Sequence, residues 1–170
     1  MKYIIKGDCM KDKIYFNRYS QKYNKYLKEI INQSEMIKII SEKNNREIKE
    51  DESLNIDYLV MDKNIFPFSL SYMGDNIGFI CLDNINWENK NCRFKCAIFN
   101  DYINLISKEQ LEDCISYVLN FSYYTLGLKR VSGIIPKDSF GIEAVNEMFD
   151  KEGEDINNTI FYYGNVAKVN

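Results

Sequence analysis

Near the middle of this chain a single helix separates two strand-like runs, and that arrangement limits the folds open to it. Leu111, Cys114, Ile115, Val118 and Leu119 recur at the spacing of one helical face. Ser107 and Gln110 form an N-terminal capping box ahead of them, and Gly127 supplies a left-handed stop behind. Cys92 to Phe99 precedes the helix as a strand, and Lys129 to Ile135 follows it as a β-rich run that Pro136 ends. Two strands of one sheet joined through a helix lie parallel.

The stretch upstream imposes the opposite sense. Phe66, Phe68, Leu70 and Tyr72 alternate with other residues, Gly74-Asp75-Asn76 offers a turn, and Ile77 to Leu82 is an apolar run. Asp83 to Asn91 reads as the next turn, so three antiparallel strands form a meander that leads into the parallel pair. Around this centre, Ile14 and Phe16 suggest a first strand, and Tyr23, Tyr26, Leu27, Ile30 and Ile31 a helix with one apolar stripe. Ser34 is positioned to cap a second helix carrying Met36, Ile37, Ile39 and Ile40. Asp138 or Ser139 can cap a shorter helix bearing Ile142, Val145 and Phe149, and Thr159 to Val169 closes as a strand. Residues 41–57 are polar and charge-dense and read as an exposed loop or an irregular helix. The expectation is one α+β domain over residues 1–170, with a mixed central β-sheet (antiparallel meander plus one parallel strand pair) flanked by helices.

Chemistry is bounded first by what is missing. The 170 residues contain no histidine, which excludes Ser-His-Asp and Cys-His catalytic pairs, His-ligated zinc and the usual near-neutral base. Net charge is -3, although residues 1–40 carry nine Lys/Arg against four Asp/Glu. Lys22, Lys25 and Lys28 read as a solvated helix face, and nucleic acid is not an expected partner. The five cysteines, Cys9, Cys81, Cys92, Cys96 and Cys114, include no CxxC pair. Cys92 and Cys96 stand roughly 13 Å apart along a strand, too far for a bridge. Free thiols point to a reducing, cytoplasmic setting. No apolar run reaches membrane-spanning length, and residues 1–13 do not read as a secretory signal.

Four segments in order carry a family resemblance. Gly127-Leu128-Lys129-Arg130-Val131 after an amphipathic helix resembles the GNAT acyl-CoA N-acyltransferases, in particular the branch that modifies ribosomal-protein N-termini. Phe149-Asp150-Lys151-Glu152-Gly153 is similar to that branch's Gly-Phe-x-x-Glu-Gly, with Met148 in the glycine position. Asn76-Ile77-Gly78-Phe79-Ile80 resembles its hairpin strand, and Glu109-Gln110-Leu111 its helix start.

The resemblance implies a GNAT-like fold that uses acetyl-CoA as co-substrate and no metal, with an amine acceptor, either a small molecule or a protein N-terminus. It implies that two parallel strands splay, that the pantetheine arm pairs with Ala97, Ile98 and Phe99, and that the pyrophosphate sits at the helix head over Leu105, Ile106, Ser107 and Lys108. Ser139 corresponds to the family's helix-capping serine. Tyr102, Leu105 and Ser107 stand where the family has its glutamine-or-arginine and glycine loop, so the pyrophosphate loop is degenerate, and Pro136 stands in for an asparagine. Asp101, Tyr102 and Glu143 are the candidate catalytic groups: a carboxylate to take the amine proton and a tyrosine to return one to the thiolate. Trp87, in a hairpin turn, is a candidate for substrate contact or for turn packing, and of Tyr162 and Tyr163 at most one faces a cleft. Two functions stay open: N-acetyl transfer to a primary amine, and a degenerate scaffold that binds a ligand or protein without transfer.

Overall fold

The computed structural model describes residues 13–18, 26, 30, 33–41, 63–157 and 159–167. Its strands are β1 (Ile14–Arg18), β2 (Ile37–Ile40), β3 (Phe66–Tyr72), β4 (Asp75–Asn86), β5 (Asn91–Phe99), β6 (Arg130–Pro136), β7 (Asp150–Glu154) and β8 (Ile160–Val166). Its α-helices are α1 (Lys108–Asn120) and α2 (Ile142–Met148). One mixed sheet runs β1-β3-β4-β5-β6-β8-β7, with β2 added beside β5. The meander β3-β4-β5 is antiparallel, and β5 and β6 are parallel through the α1 crossover, as the sequence pattern requires.

From Phe94 to Phe99 β5 is buried on both faces, with Lys95 as the one charged side chain inside that stretch. Cys92, Phe94, Cys96 and Ile98 face α1, whose stripe of Leu111, Cys114, Ile115, Val118 and Leu119 is buried against that side. Each such aliphatic side chain contributes about 1.5–3 kcal/mol when removed from water. Ala97 and Phe99 face the other way, onto Phe79, Cys81, Tyr26 and Ile30. After Asn120 the helix widens into one π turn, Phe121–Thr125, and Gly127 then takes φ +68° as the left-handed stop.

Several expectations need correction. The segment assigned to a second helix capped by Ser34 is the strand β2; its β-branched residues complete hydrogen bonding between two strand edges, and that tertiary demand overrides the helical spacing. The sheet therefore holds a second parallel pairing, β2 with β5, besides β5 with β6. The short helix α2 is capped by Gly141 at φ +81°, not by Asp138 or Ser139, because a turn bonding Ser139 N–H to the Pro136 carbonyl comes first. Strand β7, paired antiparallel with β8, was not expected. Of the helix expected over residues 23–31, Tyr26 and Ile30 are described and helical; the rest, with residues 42–57 of the polar loop and Cys9, lies outside the described residues.

Candidate functional site

The site is built where β5 and β6 part. They pair only from Asn91–Arg130 to Arg93–Ser132 and then diverge. Divergence leaves two rows of backbone donors and acceptors facing each other in the middle of the sheet, which must find partners. β2 supplies them. Met36 N–H donates to the Ile134 carbonyl at 2.6 Å, and Cys96 N–H donates to the Met36 carbonyl at 2.6 Å. From there β2 runs parallel to β5, with Ile37 opposite Cys96, Lys38 opposite Ala97, Ile39 opposite Ile98 and Ile40 opposite Phe99. The backbone edge of Ala97, Ile98 and Phe99 that faces the splay is thus already in a ladder, and β4 occupies the other edge.

Two glycines shape the splay for this strand. A β-carbon on Gly133 of β6 would lie 2.1 Å from Met36 Cγ, and one on Gly141 would lie 2.6 Å from Ile37 Cδ1 and 2.9 Å from Leu111 Cδ2. Met36 and Ile37 are both buried. At the closed end of the splay the buried Lys95 ammonium lies 3.0 Å from Asp83 Oδ2 and donates to the Gln33 carbonyl at 2.5 Å, gripping the chain as it enters β2. Burial pushes the Asp83 carboxyl up, and Lys95 opposes that shift.

At the open end, the heads of α1 and α2 enclose a cavity of about 290 Å³. Five residues singled out in the sequence line it: Ile106, Ser107, Lys108, Ser139 and Glu143. Asp101, Tyr102 and Leu105 do not. They belong to the 3-10 helix Asn100–Leu105 that leaves β5, where Asp101 is exposed, Tyr102 packs against the core and Leu105 is 55% exposed rather than turned inward.

The head of α1 is already furnished. Ser107 Oγ accepts from Gln110 N–H at 3.2 Å and Gln110 Oε1 accepts from Ser107 N–H at 2.8 Å, the capping box that the sequence pattern requires. The backbone N–H and the Ser107 hydroxyl beside it hold the Glu109 carboxyl below its ordinary value. Lys108 pairs with Glu147 at 3.3 Å and Glu112 at 3.4 Å. The helix dipole and Lys108 favour an anion at this head, and the acidic side chains of Glu109 and Glu143 oppose one. Glu109 and Met36 are the site residues that sequence reasoning missed. The acidic residue at the second helical position was a readable signal for the first, and Gly133 in a β-branched run for the second.

The remaining motif residues serve the fold. Arg130 and Glu152, from two separate resemblance motifs, form an ion pair across the sheet. Tyr163 is buried with its hydroxyl on Asn146, while Tyr162 is exposed. Trp87 donates to Asn64 Oδ1 at 3.0 Å and packs edge-on against Phe66, a turn-packing role. Among the described residues there is no group of three or more Cys, Asp or Glu placed to hold a metal ion, and no helix long and apolar enough to cross a membrane.

This sheet order, with a strand pair that splays beside a capped helix, is the GNAT acetyltransferase fold. Solved structures similar to it include a probable acetyltransferase, 18% identical, covering 91% of this chain and 93% of that one with a TM-score of 0.64. A dodecameric spermidine N-acetyltransferase from Vibrio cholerae is 16% identical, covering 91% and 94% at a TM-score of 0.65. The spermidine/spermine N-acetyltransferase SpeG from the same organism, in complex with manganese ions, is 16% identical, covering 93% and 95% at 0.64. At this identity the likeness establishes the fold. No protein-family model and no curated protein sequence matches the chain.

Proposed function

We propose that this protein is an acyl-CoA-dependent N-acyltransferase that moves an acetyl group to a primary amine. The observation that carries the reading is the cavity at the heads of α1 and α2, bounded by Ser107, Lys108, Ser139 and Glu143, at the open end of the β5–β6 splay. Acyl transfer needs an extended thioester held beside a neutral amine; a new C–N bond forms, the C–S bond breaks, the amine loses a proton and the thiolate gains one. In this reading Lys108 and the α1 head hold the diphosphate, with Ile106, Ser107 and Ser139 beside it. The backbone of Ala97, Ile98 and Phe99 takes the pantetheine arm once β2 has given up its ladder with that edge. Glu143, which lines the cavity, is the first candidate to accept the amine proton, with Asp101 and Tyr102 on the adjoining 3-10 helix as the further acid–base candidates and Leu105 at its rim.

Three things support it: the topology shared over nine-tenths of the chain with the acetyltransferases above, the cavity at the required helix heads, and a chemistry that does not call for histidine. The acceptor class is a primary amine, and spermidine, named for the neighbouring structures, is one member to assay beside peptide N-termini.

The second reading is a scaffold that binds a ligand or protein and transfers nothing. It is favoured by β2 occupying the splay and by Glu109 on the α1 head. A thermal-shift titration with acetyl-CoA, followed by an assay of thiol release on adding spermidine or a peptide amine, separates the two. Ligand at 100 times its dissociation constant stabilises the native state by about 2.7 kcal/mol, a shift of several degrees in Tm. A shift followed by amine-dependent thiol release is expected. No shift at millimolar acetyl-CoA overturns the transferase reading, and a shift without thiol release favours the scaffold.

A further inference from the structure

We infer that β2 is an internal occupant of the acyl-donor cleft, a strand that must leave β5 and β6 before an extended acyl-CoA arm can enter. The inference rests on the transferase reading above and adds regulation to it.

An extended ligand entering a splayed sheet can gain main-chain hydrogen bonds only from the two strand edges that the splay exposes. In this chain the β5 edge is taken from Cys96 to Phe99 and the β6 edge at Ile134. Met36 bridges them, taking the Ile134 carbonyl on one side and the Cys96 N–H on the other, and the register then follows β5 to Phe99. The occupation is specific. Met36 fills the space that Gly133 leaves, Ile37 fills the space beside Gly141 and Leu111, and both side chains are buried. Ile37 reaches the same α1–α2 junction that walls the cavity, so the strand runs from the closed end of the splay to the pocket.

The strand is also short. It spans four residues and, among the described residues, makes its ladder with one edge of β5 and joins β6 through Met36 and the bridge of Glu35 to Ile134. Its entry is held by one buried contact, the Lys95 ammonium on the Gln33 carbonyl. Met36, Ile37 and Ile40 are buried, so leaving the sheet costs that burial and makes the open form a minor population. When the competent state is a minor population, apparent affinity falls by that fraction, so weakening β2 should tighten cofactor binding and fixing it should abolish binding.

Ile37 and Cys96 are register partners whose side chains face the same core. Neighbouring strands stand about 4.8 Å apart, within the roughly 4.4–6.8 Å that a disulfide spans between α-carbons. Ile37→Cys therefore creates a lock with native Cys96, confirmed by peptide mass mapping. Acetyl-CoA affinity is measured by calorimetry for this variant oxidised and reduced, for wild type and for Met36→Ala, with circular dichroism as the folding control. The expected result is binding at least about tenfold weaker in the oxidised lock than in its reduced form, and at least about threefold tighter in Met36→Ala than in wild type. Equal affinity of the oxidised and reduced lock overturns the inference while leaving the transferase reading intact, as does a folded Met36→Ala that binds no tighter than wild type. Absence of binding by every form, reduced lock and Met36→Ala included, overturns the transferase reading and the gate with it.

Discussion

Met36 occupies the place that a side chain on Gly133 would take: a β-carbon there would lie 2.1 Å from Met36 Cγ and 2.7 Å from its sulfur. Gly133→Ala must therefore push Met36 aside, at about 1–3 kcal/mol for an overpacked core. Met36→Ala leaves a void instead and costs about 2–5 kcal/mol. Because each change relieves the other, the double variant should fall short of the summed losses by about 1 kcal/mol or more, measured by urea unfolding of all four proteins. Strict additivity would mean that β2 does not dock on Gly133.

That contact marks the boundary of what the sequence makes legible. The crossover, the meander and the α1 stripe are written in local periodicity and capping, and the structure follows them, although β4 starts at Asp75 and runs on to Asn86 through residues that read as turns. β2 is not written locally. Met36, Ile37, Ile39 and Ile40 satisfy a helical spacing as readily as a strand, and the deciding fact is a pair of unfilled strand edges some 60 and 100 residues further along. For the site, the capping serine and its neighbours meet at one cavity because they share two helix heads, a local property. Asp101, Tyr102 and Leu105 stay outside that cavity because the chain leaves β5 through a 3-10 helix, whose direction sequence spacing does not reveal.

The buried pair at the entry to β2 should respond asymmetrically to truncation. Asp83→Ala leaves the Lys95 ammonium in the interior without its carboxylate, a loss of about 3–5 kcal/mol. Lys95→Met leaves Asp83, which can take up a proton; burial already pushes that carboxyl above its ordinary value, and removing Lys95 removes the opposing charge. A carboxyl raised in the folded state favours folding below its unfolded value of about 3.9, and that contribution is lost as pH rises through the folded value. The deficit of Lys95→Met against wild type should therefore be small at pH 4 and widen toward pH 7. Urea midpoints across that range check it; a deficit that shrinks on raising the pH would refute the assignment.

Glu109 gives the opposite sign. Its carboxyl is held low by its own backbone N–H and the Ser107 hydroxyl, so its contribution is present above the unfolded value of about 4.3 and lost as pH falls through the lower folded value. Glu109→Gln should melt below wild type at pH 7, with the gap closing as both are acidified toward pH 3. Ser107→Ala, which removes the capping acceptor for Gln110 N–H, should cost about 1 kcal/mol and should also shrink the Glu109→Gln gap, since the two share a hydrogen bond. A gap that is constant with pH would place the Glu109 carboxylate away from the helix head.

The buried thiols provide a test of the core that is independent of any ligand. Burial pushes Cys92 and Cys114 up to about 12, and it raises Cys81 and Cys96 well above the ordinary thiol value. Alkylation proceeds through the thiolate, so at pH 8 a thiol titrating near 12 reacts about a thousandfold more slowly than one near 8.5, before any steric exclusion. Iodoacetamide applied to the native protein should leave these four peptides unmodified by mass mapping, and labelling should follow unfolding in denaturant. Cys96 is the informative member, because it lies opposite Ile37 and beneath α1. Its labelling at the rate of an exposed thiol, while Cys81 and Cys114 stay protected, would mean that the core around β5 is open where the fold requires it closed.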